Sequence, residues 1–263
     1  MDESDSLRKL VIGIAALALL FLFTACDVTL GSGPVGSGVE KSSKRETAAF
    51  SRVDLRGDAN VSIVVGQARS VTVRGDDNLL DRVKTKVEGD TLVISTRPYR
   101  SKIGISVEVA VPALNGTELS GSGTIDVHKL SGASFAADLS GSGEIELAGE
   151  VDELVLDLSG SGEARLHNVS AREMQLSIPG SGEIDASGTT DSLEIEIPGS
   201  GAAYLDSLSA REAQADVSGS EEVSLKATSS LKASISGSGE ISYLGHPRHL
   251  SKDVSGSGTI GPR

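Results

Sequence analysis

A Ser/Pro-Gly-Ser element, as a rule followed by a second glycine, returns eight times in this chain, with its first glycine at Gly121, Gly141, Gly160, Gly180, Gly199, Gly219, Gly237 and Gly256. The intervals are 20, 19, 20, 19, 20, 18 and 19 residues. Self-similarity at a short fixed period marks an architecture whose units bury their apolar faces only against their neighbours. Spacing this regular over about half of the 263 residues excludes a linker. Alignment on the first glycine exposes columns. Six positions before it stand Phe135, Leu154, Met174, Leu193, Ala213, Leu231 and Leu250, and two before it stand Leu119, Leu139, Leu158, Ile178, Ile197, Val217, Ile235 and Val254. Four after it come Ile125, Ile145, Ala164, Ile184, Ala203, Val223, Ile241 and Ile260. Even offsets are apolar or glycine and odd offsets mostly polar, a period of two that means strand.

One coil of this length cannot bury its own inner face. Identical coils stacked ~4.8 Å apart form a continuous core and pair each strand with its copy in the next coil. The expected fold is therefore all-β, a parallel, right-handed β-helix or solenoid with coils of 19–20 residues. Eight coils would span about 35–40 Å. The runner-up is an antiparallel sandwich or propeller, but propeller blades repeat at about 40 residues, twice the unit here, and no 3.6-residue period persists for helices.

Residues 47–115 lack the element but read as strands at Val61–Val65, Val71–Val73, Val83–Val87, Thr91–Ser95 and Ile105–Val111, with a turn at Glu88-Gly-Asp90. This region is expected to be degenerate coils or a cap of the solenoid proper, 116–263, because terminal repeats must close the core. The sequence stops at Thr259–Arg263, just after the eighth element, so an open last rung would offer strand pairing to a second copy.

Arg8 and Lys9 precede a 14-residue apolar run, Leu10–Phe23, too short to cross ~30 Å of hydrocarbon but suited to a signal core. The run leads into Thr24-Ala-Cys26, which resembles the lipobox of bacterial lipoproteins, with Phe23 where leucine is usual. That resemblance implies cleavage of residues 1–25 and lipidation of Cys26, the only cysteine. Residues 26–46, rich in Gly, Ser and charge, then read as a flexible tether. Without a second cysteine no internal disulfide forms, so packing and backbone pairing must hold the fold.

Phe50-Ser-Arg-Val-Asp-Leu, Asp76-Asp-Asn-Leu-Leu-Asp81, Gly89-Asp-Thr-Leu-Val-Ile94, Val111-Pro-Ala-Leu114 running into Leu119-Ser-Gly-Ser-Gly123, and Tyr243-Leu-Gly-His-Pro247 together resemble the head GIN domain family of auto-transporter adhesins over about 47–260. The resemblance implies a β-helical exported bacterial protein. It brings no catalytic residue.

Three positions after the first glycine, Glu144, Glu163 and Glu183 would stack as a ladder of like charges, which needs solvent or a cation. Calcium is the sharp reading. A solvated acidic face is the plain one, favoured because the calcium β-roll nonapeptide is absent. The serine column from Ser122 to Ser257 offers eight equivalent hydroxyls with no repeated base, hence a turn ladder and not nucleophiles. His128, His167, His246 and His249 lack the cysteine or clustered partners of a metal site. Coils of such even length leave no long loops to shape a cleft, and with no Trp, three Tyr and four Phe there is little aromatic surface to hold sugar. A net charge of −13 and the lack of stacking aromatics argue against nucleic acid as a partner.

The expectation is a non-enzymatic, exported envelope lipoprotein without catalytic residues or cofactor, an adhesin or surface-interaction module that meets the membrane through its lipid and a protein or glycan through its rod. A periplasmic scaffold and a carbohydrate-active β-helix enzyme are the alternatives. Asp27 resembles an inner-membrane retention signal, which leaves both membranes open.

Overall fold

The computed structural model describes residues 33–263, so the signal region and Cys26 lie outside the described residues. The repeats form a parallel β-solenoid of about seven turns. Strands β9 (Thr124–Leu139), β10 (Glu144–Leu158), β11 (Glu163–Ser177), β12 (Glu183–Ile197), β13 (Ala202–Val217) and β14 (Glu222–Gly237) each make most of one turn. The next turn is divided between β15 (Glu240–Leu244) and β16 (His249–Gly256), and β17 (Thr259–Pro262) begins another. Eight glycine corners thus bound seven turns, one fewer than the eight coils that counting elements suggests.

The predicted columns are the core except in the last turn, where Leu250 and Val254 are 45% and 42% exposed and Ile260 is half-buried because no rung stacks beyond them. In β10 the inward side chains are Ile145, Leu147, Val151, Leu154, Leu156 and Leu158, all buried. Spacings of two are interrupted between Leu147 and Val151 and between Val151 and Leu154, which is where the strand bends. A third bend is the glycine corner. Parallel register puts Ile145 on Ile125, Leu154 on Phe135 and Leu158 on Leu139. Like stacks on like, so each rung templates the next.

Close approach explains the first glycine. A Cβ on Gly121, Gly141 or Gly160 would lie 1.9–2.0 Å from the carbonyl oxygen of the residue one rung below. That oxygen is in use, since the N–H groups of Ser142 and Glu144 donate to the carbonyls of Gly121 and Gly123 at 3.0 Å.

A second corner accounts for the alternation of 20 and 19 residues. Eight after the first glycine, two of the 20-residue turns carry Lys129 and Asn168 in left-handed conformation, φ 57° and 51°. These residues bulge, and the buried Leu130 and Val169 follow them. The intervening 19-residue turns lack the extra residue and place Gly149 on Leu130 and Gly188 on Val169. Leucine or valine therefore alternates with glycine up this edge.

The amino-terminal region is built from β2 (Arg52–Arg56), β3 (Asn60–Val65), β4 (Ser70–Asp76), β5 (Val83–Glu88), β6 (Thr91–Thr96), β7 (Ser106–Val111) and β8 (Gly116–Leu119). Its two rungs stack out of sequence order. β2 pairs in parallel with β6 on one side and β8 on the other, and β3 pairs with β7 and β9. The β2–β3 rung is therefore held between β6–β7 and the repeats. Antiparallel strands cover the outside, with β4 on β7 and β5 on β6. The turn expected at Glu88-Gly-Asp90 joins β5 to β6, with Gly89 at φ 64°.

The tether expected over 26–46 needs correction. Residues Glu40–Arg45 form strand β1, antiparallel to β4. The segment before it is clasped by consecutive polar residues of the Asp76-Asp-Asn motif. The buried Asp76 carboxylate accepts the N–H of Gly38 at 2.5 Å, the N–H of Lys102 at 3.1 Å and the hydroxyl of Ser101. Asp77 accepts the Ser37 hydroxyl, while Asn78 accepts the Ser37 N–H and donates to the Val35 carbonyl. Gly/Ser composition signals flexibility only while no partner satisfies the backbone.

The hydrogen bonds, that from Ser101 first, hold the Asp76 carboxyl below its ordinary value despite burial. A depressed carboxylate contributes stability above its unfolded pKa and loses it as pH falls through the folded one. Asp76→Asn is expected to lower the melting temperature at pH 7, to reduce the acid-side loss of stability, and to speed amide exchange in 36–45. Unchanged exchange there would refute the clasp.

At the second corner, Gly149 has φ 143° and a Cβ on it would meet the Leu130 carbonyl oxygen at 2.3 Å, whereas Gly132, at φ 150°, faces open space. Gly149→Ala should therefore lose about 1–3 kcal/mol more than Gly132→Ala in urea unfolding. Equal losses would mean that the two-turn packing is not what requires the glycine.

Candidate interaction face

The side of the rod next to the glycine corner carries a polar array repeated from rung to rung. An open groove of about 440 Å³ runs across four rungs, lined by Ser122, Ser142, Ser161 and Ser181 and by Glu144, Glu163 and Glu183. Thr124 at its lower end also borders a hollow of about 600 Å³ between β3, β4, β7 and β9, edged by Ser62, Thr72, Glu108 and Asp126. Groove and hollow make one track along the rod.

Register delivers the predicted acidic ladder, with Glu144 beside Glu163 and Glu163 beside Glu183. Its neutralising group is one that column reading missed. Arg165 stands in the adjacent outward column, where Asp126, Glu146 and Asp185 occupy neighbouring rungs. Its guanidinium pairs with Glu144, with Glu163 at 2.6 Å and with Glu146 at 3.6 Å. Burial, then the charges of Glu183, Asp185 and Glu146, raise the Glu163 carboxyl above its ordinary value. A lone positive residue in an acidic column was visible in the sequence, but its reach over three carboxylates follows only from register.

The serine column behaves as a turn ladder through its backbone. Seven of its eight N–H groups donate to the rung below. Ser122, Ser142, Ser161 and Ser181 line the groove. His128 pairs with Asp126 at 2.9 Å, and burial, opposed by His128, raises the Asp126 carboxyl. The exposed His246 and His249 lie far along the chain in the last turns, and among the described residues no group of three or more His, Cys, Asp or Glu converges as a metal centre. On the next face Asp138 sits on Asp157 in register, and burial and that neighbour raise its carboxyl. No described helix is long and apolar enough to cross a membrane.

Fold and surface together define a single-chain parallel β-solenoid with one covered end, whose side chains are presented as ladders at rung spacing. The chain belongs to the head GIN domain family, described as "Putative auto-transporter adhesin, head GIN domain", whose profile matches residues 49–247. Among solved structures it is similar to a "putative lipid binding protein" of Parabacteroides distasonis, at 28% identity over 87% of this chain and 98% of that one, with a TM-score of 0.81. A "putative adhesin" of the same species matches at 23% identity over 88% and 100% of the two chains, TM-score 0.82. One from Parabacteroides merdae matches at 20% over 87% and 98%, TM-score 0.79. None of the curated proteins matches.

Removing Arg165 should expose the ladder's repulsion. Raised carboxylates destabilise when ionised, so stability is regained as pH falls through their folded pKa. Arg165→Ala is expected to lose about 1 kcal/mol at pH 7 and low salt, with much of the loss recovered as pH falls through the raised carboxyls or in high salt. A deficit independent of pH and salt would show lost packing, not charge.

Proposed function

We propose that this adhesin-like solenoid is an exported envelope lipoprotein, carried on lipidated Cys26, that binds its partner without catalysis along the track of serine hydroxyls and carboxylates. The observation that carries this reading is the track itself. Hydrogen-bonding groups recur there at rung spacing over an open surface, suited to an extended protein or glycan strand and not to enclosing a small substrate. Even turn lengths support the non-enzymatic reading, because no long loop rises to wall off a reaction from water. The family supports a surface or envelope location. The relative's description as lipid-binding gives vesicles a place among the ligands to try.

Protease treatment of intact cells, read with an antibody to 116–263 and with lysed cells as control, tests the location. Digestion on intact cells is expected. Protection until lysis would remove the adhesin reading and point to a periplasmic scaffold. Cys26→Ser should abolish fatty-acid labelling and release the protein from membranes, and retention of label would refute the anchor.

A further inference from the structure

The sixth corner breaks the pattern in sequence and in hydrogen bonding. Its element reads Ser218-Gly-Ser-Glu221, so Glu221 stands where the others carry their second glycine, Gly123, Gly143, Gly162, Gly182, Gly201, Gly239 and Gly258. That column has no room for a side chain. A Cβ on any of these seven glycines would lie 2.2–2.9 Å from a carbonyl oxygen one rung down.

The ladder yields accordingly. At each of the other seven corners two N–H groups donate downward, one from the serine and one from the residue after the second glycine; Ser200 to Gly180 and Ala202 to Gly182 are the pair immediately below. At the sixth corner, among the described residues, neither Ser220 donates to Gly199 nor Glu222 to Gly201. Among the described residues the carbonyls of Gly199 and Gly201 accept no well-formed backbone hydrogen bond, although Ala202 and Glu222 stay in register above them. Above the break the pair resumes, with Ser238 on Gly219 and Glu240 on Glu221, both at 2.7 Å.

Glu221 itself is buried, with 5% of its surface exposed. Its carboxylate curls back against Gly219, and Oε2 has no hydrogen-bond partner. No Lys, Arg or His pairs with it among the described residues. A buried carboxylate oxygen that meets no donor in the protein is a free ligand atom for a cation.

We propose that the Glu221 corner is a binding site for a hard, calcium-class cation, held by the Glu221 carboxylate and by the carbonyl oxygens of Gly199 and Gly201 that the displaced corner releases. The donors are all oxygen, with one carboxylate, and water completes the shell. That set fits the weak end of calcium affinity, about 0.1–1 mM, the range of extracellular modules. The exposed Glu222 and Glu240, adjacent in register, add negative potential at its mouth. This site is distinct from the Glu144–Glu183 ladder, where Arg165 pairs with Glu144 and Glu163.

The test is thermal unfolding of the full chain in CaCl2 at about 5 mM against NaCl of equal ionic strength. A rise of about 3–5 °C is expected for the wild type. No calcium-specific rise is expected for Glu221→Gln or Glu221→Gly. Glycine is the residue of this column, so Glu221→Gly should fold and, without calcium, melt above the wild type as the two ladder bonds return. Absence of a calcium shift in the wild type would overturn the proposal. An equal shift in both variants would overturn it by placing the cation elsewhere.

Discussion

The contact on which the molecule depends is that between one glycine corner and the next. There the backbones come so close that a carbonyl of one rung accepts an N–H from the rung above while excluding any Cβ. This fixes the rise of the solenoid to a backbone hydrogen bond and ties every turn to the same register. Aliphatic rows inside and polar rows outside then stack as columns because the corner leaves them no other alignment. Stability built this way is close to a sum of neighbour terms, and a local fault stays local. Glu221 is such a fault. The paired bonds fail at its own corner and are intact immediately below and above.

The repeats were legible in the sequence because their constraint is local and recurs. The inward columns from Ile125 to Ile241 and the glycine corner could be read directly, while the exposure of Leu250 and Val254 follows from the lack of a rung beyond them. The second corner was not, since its period is two turns and is written in a residue gained or lost beside Leu130, Gly149, Val169 and Gly188. The covered end was legible only as strands. That β6–β7 stacks outside β2–β3 depends on pairing between segments distant in sequence, which no local pattern encodes. The strand Glu40–Arg45 was hidden for a related reason, because its order comes from Asp76, Asp77 and Asn78 and from pairing with β4.

The surface shows the same division. Alignment alone brings Glu144, Glu163 and Glu183 together. How their charge is met does not follow from their own column, because Arg165 acts diagonally across two rungs. A chain of net charge −13 built by stacking identical coils multiplies every outward carboxylate into a row, so scattered basic residues matter beyond their number. Arg172 on Asp152 and Arg211 toward Asp191 repeat the device on another edge, each bridging neighbouring turns.

The inverted order of the first rungs bears on how the chain assembles as it is made. The β2–β3 rung offers hydrogen bonds on both sides, and the strands that follow it in sequence fill the outer side before β8 and β9 reach the inner one. Every partner on the outer side of that rung therefore precedes the first repeat in the chain, and only the inner side waits for it. Growth from that rung has one direction, each new turn copying the register of the last, and a chain threaded through a membrane from its amino-terminal end would carry its own template ahead of the repeats.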